Sequence, residues 1–212
     1  MAAGIDFDKS CKYAYETNNE GSKFIHKDIG QVSKGEIESL FPEGDRRILV
    51  GCAPCQPFSI FNRRNGGKIN ETNDQRWRLL SAFSRIIRET RPEIISMENV
   101  PLLKGFQNGK VFEDFVCDLR EAGYKISYGI YNVQHYGVPQ RRLRLVLLGS
   151  LHGEIKMIEP THKDSPVTVA SAIGKLPAIK SGEISSHDPL HRARELNDLS
   201  LRRIRATPQG GG

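Results

Sequence analysis

Through residue 150 the chain carries apolar positions in two rhythms. Short apolar runs at 47–51 (RILVG), 93–97 (EIISM) and 144–148 (RLVLL) predict strands. Between them, Leu79, Leu80, Phe83, Ile86 and Ile87 recur at helical spacing across 75–89. Val111, Phe112, Phe115, Val116 and Leu119 do the same across 111–119, before a stop at Gly123. Strands alternating with helices of this length predict an α/β fold with a doubly wound, mostly parallel sheet, whose ligand sites lie beyond the carboxyl ends of its strands. Functional residues are therefore expected just after the strands. From Leu151 the alternation gives way to text rich in Pro, Gly, Ser and His, with one short helix expected at 168–176 and a basic amphipathic run near the end. The expected domains are 1–150 and 151–212.

Composition narrows the function classes. Of 212 residues, 38% are hydrophobic and 26% charged, and no apolar run approaches the ~18 residues of a membrane span. The opening MAAGIDFDKS has neither the basic start nor the apolar stretch of a signal peptide, so the cytoplasm is the expected location. The net charge is +6, which favours a polyanion as partner. Two stretches concentrate it. Residues 129–150 hold Arg141, Arg142 and Arg144 without an acid, and residues 191–205 hold Arg192, Arg194, Arg202, Arg203 and Arg205 against Glu195 and Asp198. Cys11, Cys52, Cys55 and Cys117 are too sparse for a disulfide framework and read as thiols.

Three segments carry candidate chemistry. The run ILVG leads into Cys52-Ala-Pro-Cys-Gln-Pro-Phe-Ser59, a loop position suited to a thiol nucleophile whose thiolate is favoured by nearby cations. A zinc half-site or a redox pair at Cys52 and Cys55 is the bland alternative. Glu98, with Asn99-Val100-Pro101 behind it, follows the next strand and falls on the same sheet edge; capping the next segment is its bland alternative. Arg142 and Arg144 alternate along an incoming strand and are expected on one cationic face.

Pro54-Cys55-Gln56, Glu98-Asn99-Val100 and Gln140-x-Arg142-x-Arg144, in this order, resemble the DNA (cytosine-5) methyltransferases. The resemblance implies a Rossmann-like S-adenosylmethionine-dependent methyltransferase fold, with 1–150 as catalytic domain and 151–212 as linker and start of a target recognition region. It implies a bacterial or phage restriction-modification setting. Cys55 is then the nucleophile that adds to C6 of a flipped cytosine, Glu98 holds N3 and the exocyclic amine, and Arg144, with Arg142 beside it, binds O2. S-adenosylmethionine is the implied cofactor. Asp6 would take its ribose and Phe7 its adenine ring; Asp28, Ile29, Pro54 and Leu79 complete the implied contacts. Gln56, Ser59, Arg63, Arg64, Arg76, Asn99 and Gln140 are the implied contacts to double-stranded DNA, and no metal is implied. In isolation, Asp8 reads equally well as a helix cap and Asp28 as a turn residue.

The family's glycine-rich first strand, expected ahead of Asp6, and most of its recognition domain, expected after Gly212, have no counterpart in these residues. A second polypeptide supplying them is therefore an expected partner, and the chain by itself is expected to be inactive or nearly so. The alternatives are an inert subunit or fragment of a split methyltransferase and an RNA cytosine-5 methyltransferase of the same fold.

Overall fold

The computed structural model describes residues 2–52 and 78–208. Two compact units are present, Met1–Pro166 and Val167–Gly212. The first opens with β1 (Ala3–Asp6), α1 (Cys11–Asn18) and β2 (Lys23–His26). The strands run parallel, with Ala3 beside Lys23 and Asp6 beside His26. Gly4 is required where the helix crosses: a Cβ there would stand 2.5 Å from the Tyr15 ring. After a 3-10 turn at Ile29–Gln31 comes α2 (Lys34–Glu38), which starts at a reciprocal cap between Ser33 and Glu36.

A second sheet holds β3 (Ile48–Gly51), β4 (Ile94–Asn99), β5 (Lys125–Asn132) and β6 (Leu143–Ser150) in the order β3-β4-β6-β5. All three strands expected from the sequence are present, with shifted ends. The expected mostly parallel sheet is corrected: β3 and β4 are parallel, but β6 is antiparallel to both β4 and β5. The reason is the short β5–β6 connection, a 3-10 turn at Val133–Tyr136 ended by Gly137 at φ 83°. It reverses the chain without the longer crossover that a parallel neighbour requires.

Helices α3 (Arg78–Thr90) and α4 (Lys110–Glu121) cover one face of this sheet. Leu80, Phe83 and Ile87 of α3 and Phe112, Phe115, Val116 and Leu119 of α4 form one core with Ile95, Met97, Leu145 and Leu147. Ile86 of α3 instead joins Val32 and Ile37, with Ile5 of β1 and Leu49 of β3 packed on them. One helix thereby ties both sheets together. Gly51 ends β3 under the Phe83 ring, where a Cβ would come within 2.5 Å. On the other face Ile48 and Val50 of β3 are 52% and 71% exposed, while Ile94, Val146 and Leu148 are half-buried.

The first unit continues past β6, where the backbone N–H of His162 donates to the His135 carbonyl at 2.8 Å. The second unit contains α5 (Val169–Ile173), shorter than the helix expected there, and α6 (Asp198–Ala206), capped by Asn197. None of its described residues is buried. Among the described residues no helix is long and apolar enough to cross a membrane.

Candidate active site

Strand register builds the centre of the site. In β4, Ile95, Met97 and Asn99 are buried, so Glu98 projects from the opposite face. Glu98 pairs with Val146, two positions along β6 from Arg144 and on its face. On the other flank, Gly51 pairs with Met97, so the next residue, Cys52, falls beside Glu98. The side chains meet accordingly. Arg144 Nε lies 2.5 Å from Glu98 Oε1, and the Cys52 thiol donates to Glu98 Oε2 at 3.0 Å. Arg144 is the more sheltered ion, 17% exposed against 42% for Glu98. A charge-assisted pair in this setting holds the carboxylate more firmly than a surface pair between mobile side chains.

Arg142 precedes β6 and is exposed. Its backbone takes part in the turn, where its N–H donates to Asn132 Oδ1 at 3.3 Å and its carbonyl accepts from Val133. Gln140 is exposed on the same connection. Asn99 is differently placed: it is 1% exposed, and its Oδ1 accepts from the Val100 N–H at 2.8 Å. Pro54, Cys55, Gln56, Ser59, Arg63, Arg64 and Arg76 lie outside the described residues.

A second group gathers at the carboxyl ends of β1 and β2. Asp6 ends β1, and its Oδ1 accepts from the Asp8 N–H at 2.8 Å. Phe7 follows with its ring 69% exposed, and its carbonyl meets His26 Nε2 at 2.7 Å. Asp28 caps the 3-10 turn by accepting from Gly30 N–H at 2.7 Å, and Ile29 packs below. Lys27 and Glu36 form an ion pair at 2.5 Å beside this turn. Lys27, then the Ser33 backbone and hydroxyl, hold the Glu36 carboxyl down to about 2. Exposed carboxylates beside an exposed aromatic residue at the ends of parallel strands are acceptors that fit the hydroxyl and amino donors of an adenosine. Leu79, half-buried, lies in α3.

Cys52 is the residue whose contact sequence reasoning missed. Its neighbourhood to Glu98 follows from the β3–β4 register, which spacing alone does not give.

The C-5 cytosine-specific DNA methylase profile matches residues 1–209. The type II methylase M.HgiDII of Herpetosiphon aurantiacus is 45% identical over all 212 residues, which cover 58% of that protein. The type II methyltransferase M1.HphI of Haemophilus parahaemolyticus is 30% identical over 86% of this chain and 49% of its own length. The chain thus spans about half the length of these relatives. A solved structure of a candidate DNA modification methyltransferase encoded within an E. coli prophage superposes on 88% of this chain and 51% of its own, with TM-score 0.67 at 23% identity, a likeness of fold. With the profile matched along nearly its whole length, the chain belongs to the C-5 cytosine-specific DNA methylase family.

Proposed function

We propose that this chain forms the catalytic part of a bacterial or phage-borne DNA (cytosine-5) methyltransferase, working on double-stranded DNA in the cytoplasm. The observation that carries the reading is Glu98, held between Arg144 and Cys52 at the carboxyl end of β4, with Cys55 three residues beyond Cys52 in the sequence. The Cys55 thiolate adds to C6 of a cytosine flipped from the duplex, which makes C5 nucleophilic. Glu98 grips N3 and the exocyclic amine and offsets the charge that develops on the ring. Arg144 binds O2, with Arg142 adding positive field. Loss of the C5 proton and of Cys55 restores the aromatic ring. Asp6, Phe7, Asp28 and Ile29, with Pro54 and Leu79, hold S-adenosylmethionine, which when bound supplies the electrophilic methyl group. Gln56, Ser59, Arg63, Arg64, Arg76 and Gln140 meet DNA. Asn99, buried, serves better as the residue that fixes the Val100 turn than as a DNA contact.

The sheets support a partner as well. Among the described residues β1 is paired only with β2, and β3 only with β4. We infer that a strand from further polypeptide inserts between them and completes the doubly wound sheet, covering edges that are costly to leave open. The second unit then belongs to a recognition region whose core that polypeptide also completes.

The test is covalent capture. Duplex DNA carrying 5-fluorocytosine, with S-adenosylmethionine, traps the completed enzyme because fluorine does not leave as a proton. The adduct maps to Cys55 and is lost in Cys55→Ala. An adduct retained by Cys55→Ala and lost in Cys52→Ala overturns the assignment, and capture by transfer RNA in place of DNA redirects the substrate.

A further inference from the structure

We propose that Cys52 is a positioning residue for Glu98. Its thiol holds Oε2 while Arg144 holds Oε1, so that the carboxylate is locked in one rotation at the strand end. The inference rests on the reading of Glu98 as the group that grips the base.

A glutamate carboxylate turns about three side-chain torsions, the last of them broad. One partner on one oxygen leaves the group free to swing about that contact. Here the two oxygens are engaged from opposite sides, by residues of the two strands that flank β4. Arg144 comes from antiparallel β6, through the Glu98–Val146 pairing. Cys52 follows parallel β3, through the Gly51–Met97 pairing. Gly51 sets the height of this approach, since Phe83 occupies the space a side chain would take. The clamp is therefore placed by strand register, with Cys52 itself exposed just beyond the end of β3.

The chemistry of sulfur makes the second contact a yielding one. A thiol is a weak donor beside a base N–H. It orients the carboxylate while the site is open and gives up Oε2 when stronger donors arrive, so little binding energy is lost to the exchange. Serine would hold more tightly and alanine not at all. The 3.0 Å contact has the thiol donating to the carboxylate, the orienting role proposed for Cys52. Cys117 is a second case in the same molecule: its thiol faces Glu121 at 3.6 Å and is pushed up, first by that hydrogen bond.

Two measurements on the 212-residue chain decide the matter, and neither requires methyl transfer. The first is the ¹⁵N–¹H resonance of Arg144 Nε, assigned by its loss in Arg144→Lys. Cys52→Ala is expected to move or broaden it, because the freed carboxylate swings, and Cys52→Ser is expected to restore it. An unchanged resonance in Cys52→Ala overturns the proposal. The second is iodoacetamide labelling of each cysteine against pH, read by peptide mass spectrometry. Glu98→Gln is expected to raise the Cys52 rate at neutral pH by about threefold or more, as the thiolate is relieved of the neighbouring charge, with Cys11 unchanged as the folding control. An unchanged Cys52 profile beside an unchanged Cys11 overturns the contact. Should Glu98→Gln disturb Cys11, Glu98→Asp, whose shorter arm withdraws the carboxylate, carries the same two outcomes. Failure here leaves the 5-fluorocytosine result untouched, and failure of capture leaves these readouts untouched.

Discussion

Arg144 Nε reaches Glu98 Oε1 at 2.5 Å because β6 returns antiparallel to β4 and places Val146 opposite Glu98. The reversal that makes the sheet mixed is thus also what brings the third motif's arginine onto the second motif's acid. A parallel β6 would carry Arg144 to the other end of the sheet.

Glu98→Gln keeps the shape of the side chain and removes the charge that Arg144 pairs with. In the completed enzyme it is expected to slow methyl transfer by at least ~10²-fold, the scale for losing a positioned acid-base group. DNA affinity should stay nearly unchanged, since in the proposed role Glu98 meets only the flipped base. Single-turnover methylation and a binding titration on the same duplex separate the two. A loss of affinity equal to the loss of rate would make Glu98 a structural residue.

The two rhythms of apolar residues disclose β3, β4, β6, α3 and α4, though not β1, β2 or β5, because burial there is one-sided: Leu145 and Leu147 face the core while Arg144 and Val146 do not. The helix at 78–90 was equally legible, and its end follows from Arg91, at φ 45°, and Pro92. Strand direction was not legible, because it depends on whether a connection folds back, and Val133–Tyr136 carries no strong turn signature before Gly137. The site was legible as motifs and not as contacts. Cys52 meets Glu98 through register, a long-range property that no local pattern encodes.

Tyr124, 3% exposed, donates from its hydroxyl to the Pro92 carbonyl at 2.6 Å, just ahead of β4. Tyr124→Phe leaves that carbonyl buried without its donor and is expected to cost about 1–3 kcal/mol. Urea unfolding should show a lower midpoint at unchanged slope. Burial pushes the phenol up to about 12 from 10, so the folded state favours the protonated form. The hydroxyl's contribution is complete below pH 10 and fades as pH rises toward about 12. A stability difference that grew with pH across that window would contradict the assigned donor.

Glu36 provides the acid-side counterpart. Its carboxyl is held at about 2 against an ordinary 4.5, first by Lys27, so folding favours its ionised form. The contribution is present above pH 4.5 and is lost as pH falls toward about 2. Glu36→Gln is expected to lower Tm at neutral pH, with the gap from wild type closing as the buffer is acidified through that range. Because Lys27 adjoins Asp28, the same variant should loosen the turn at Ile29–Gln31, read as faster amide exchange at Gly30 and Gln31. A Tm gap independent of pH would remove the ion pair as its cause.

The chain as it stands is expected to transfer methyl groups poorly or not at all. In the proposed reading Asp6, Phe7 and Asp28 hold the adenosine half of the cofactor only, and contacts to half of a ligand seldom outweigh the several kcal/mol that association costs. Among the described residues β1 and β3 each pair on one edge only and none in the second unit is buried, which suits the proposed completion by further polypeptide; the chain spans 58% and 49% of two relatives. Adding a polypeptide that carries the glycine-rich strand and the rest of the recognition domain should restore turnover. It should also protect the backbone amides of Ile48 and Val50, on the edge strand β3, from hydrogen exchange. Methyl transfer by the isolated chain within tenfold of the completed enzyme would show that the cofactor pocket closes without that strand, and that the two sheets need no strand joining them in the working molecule.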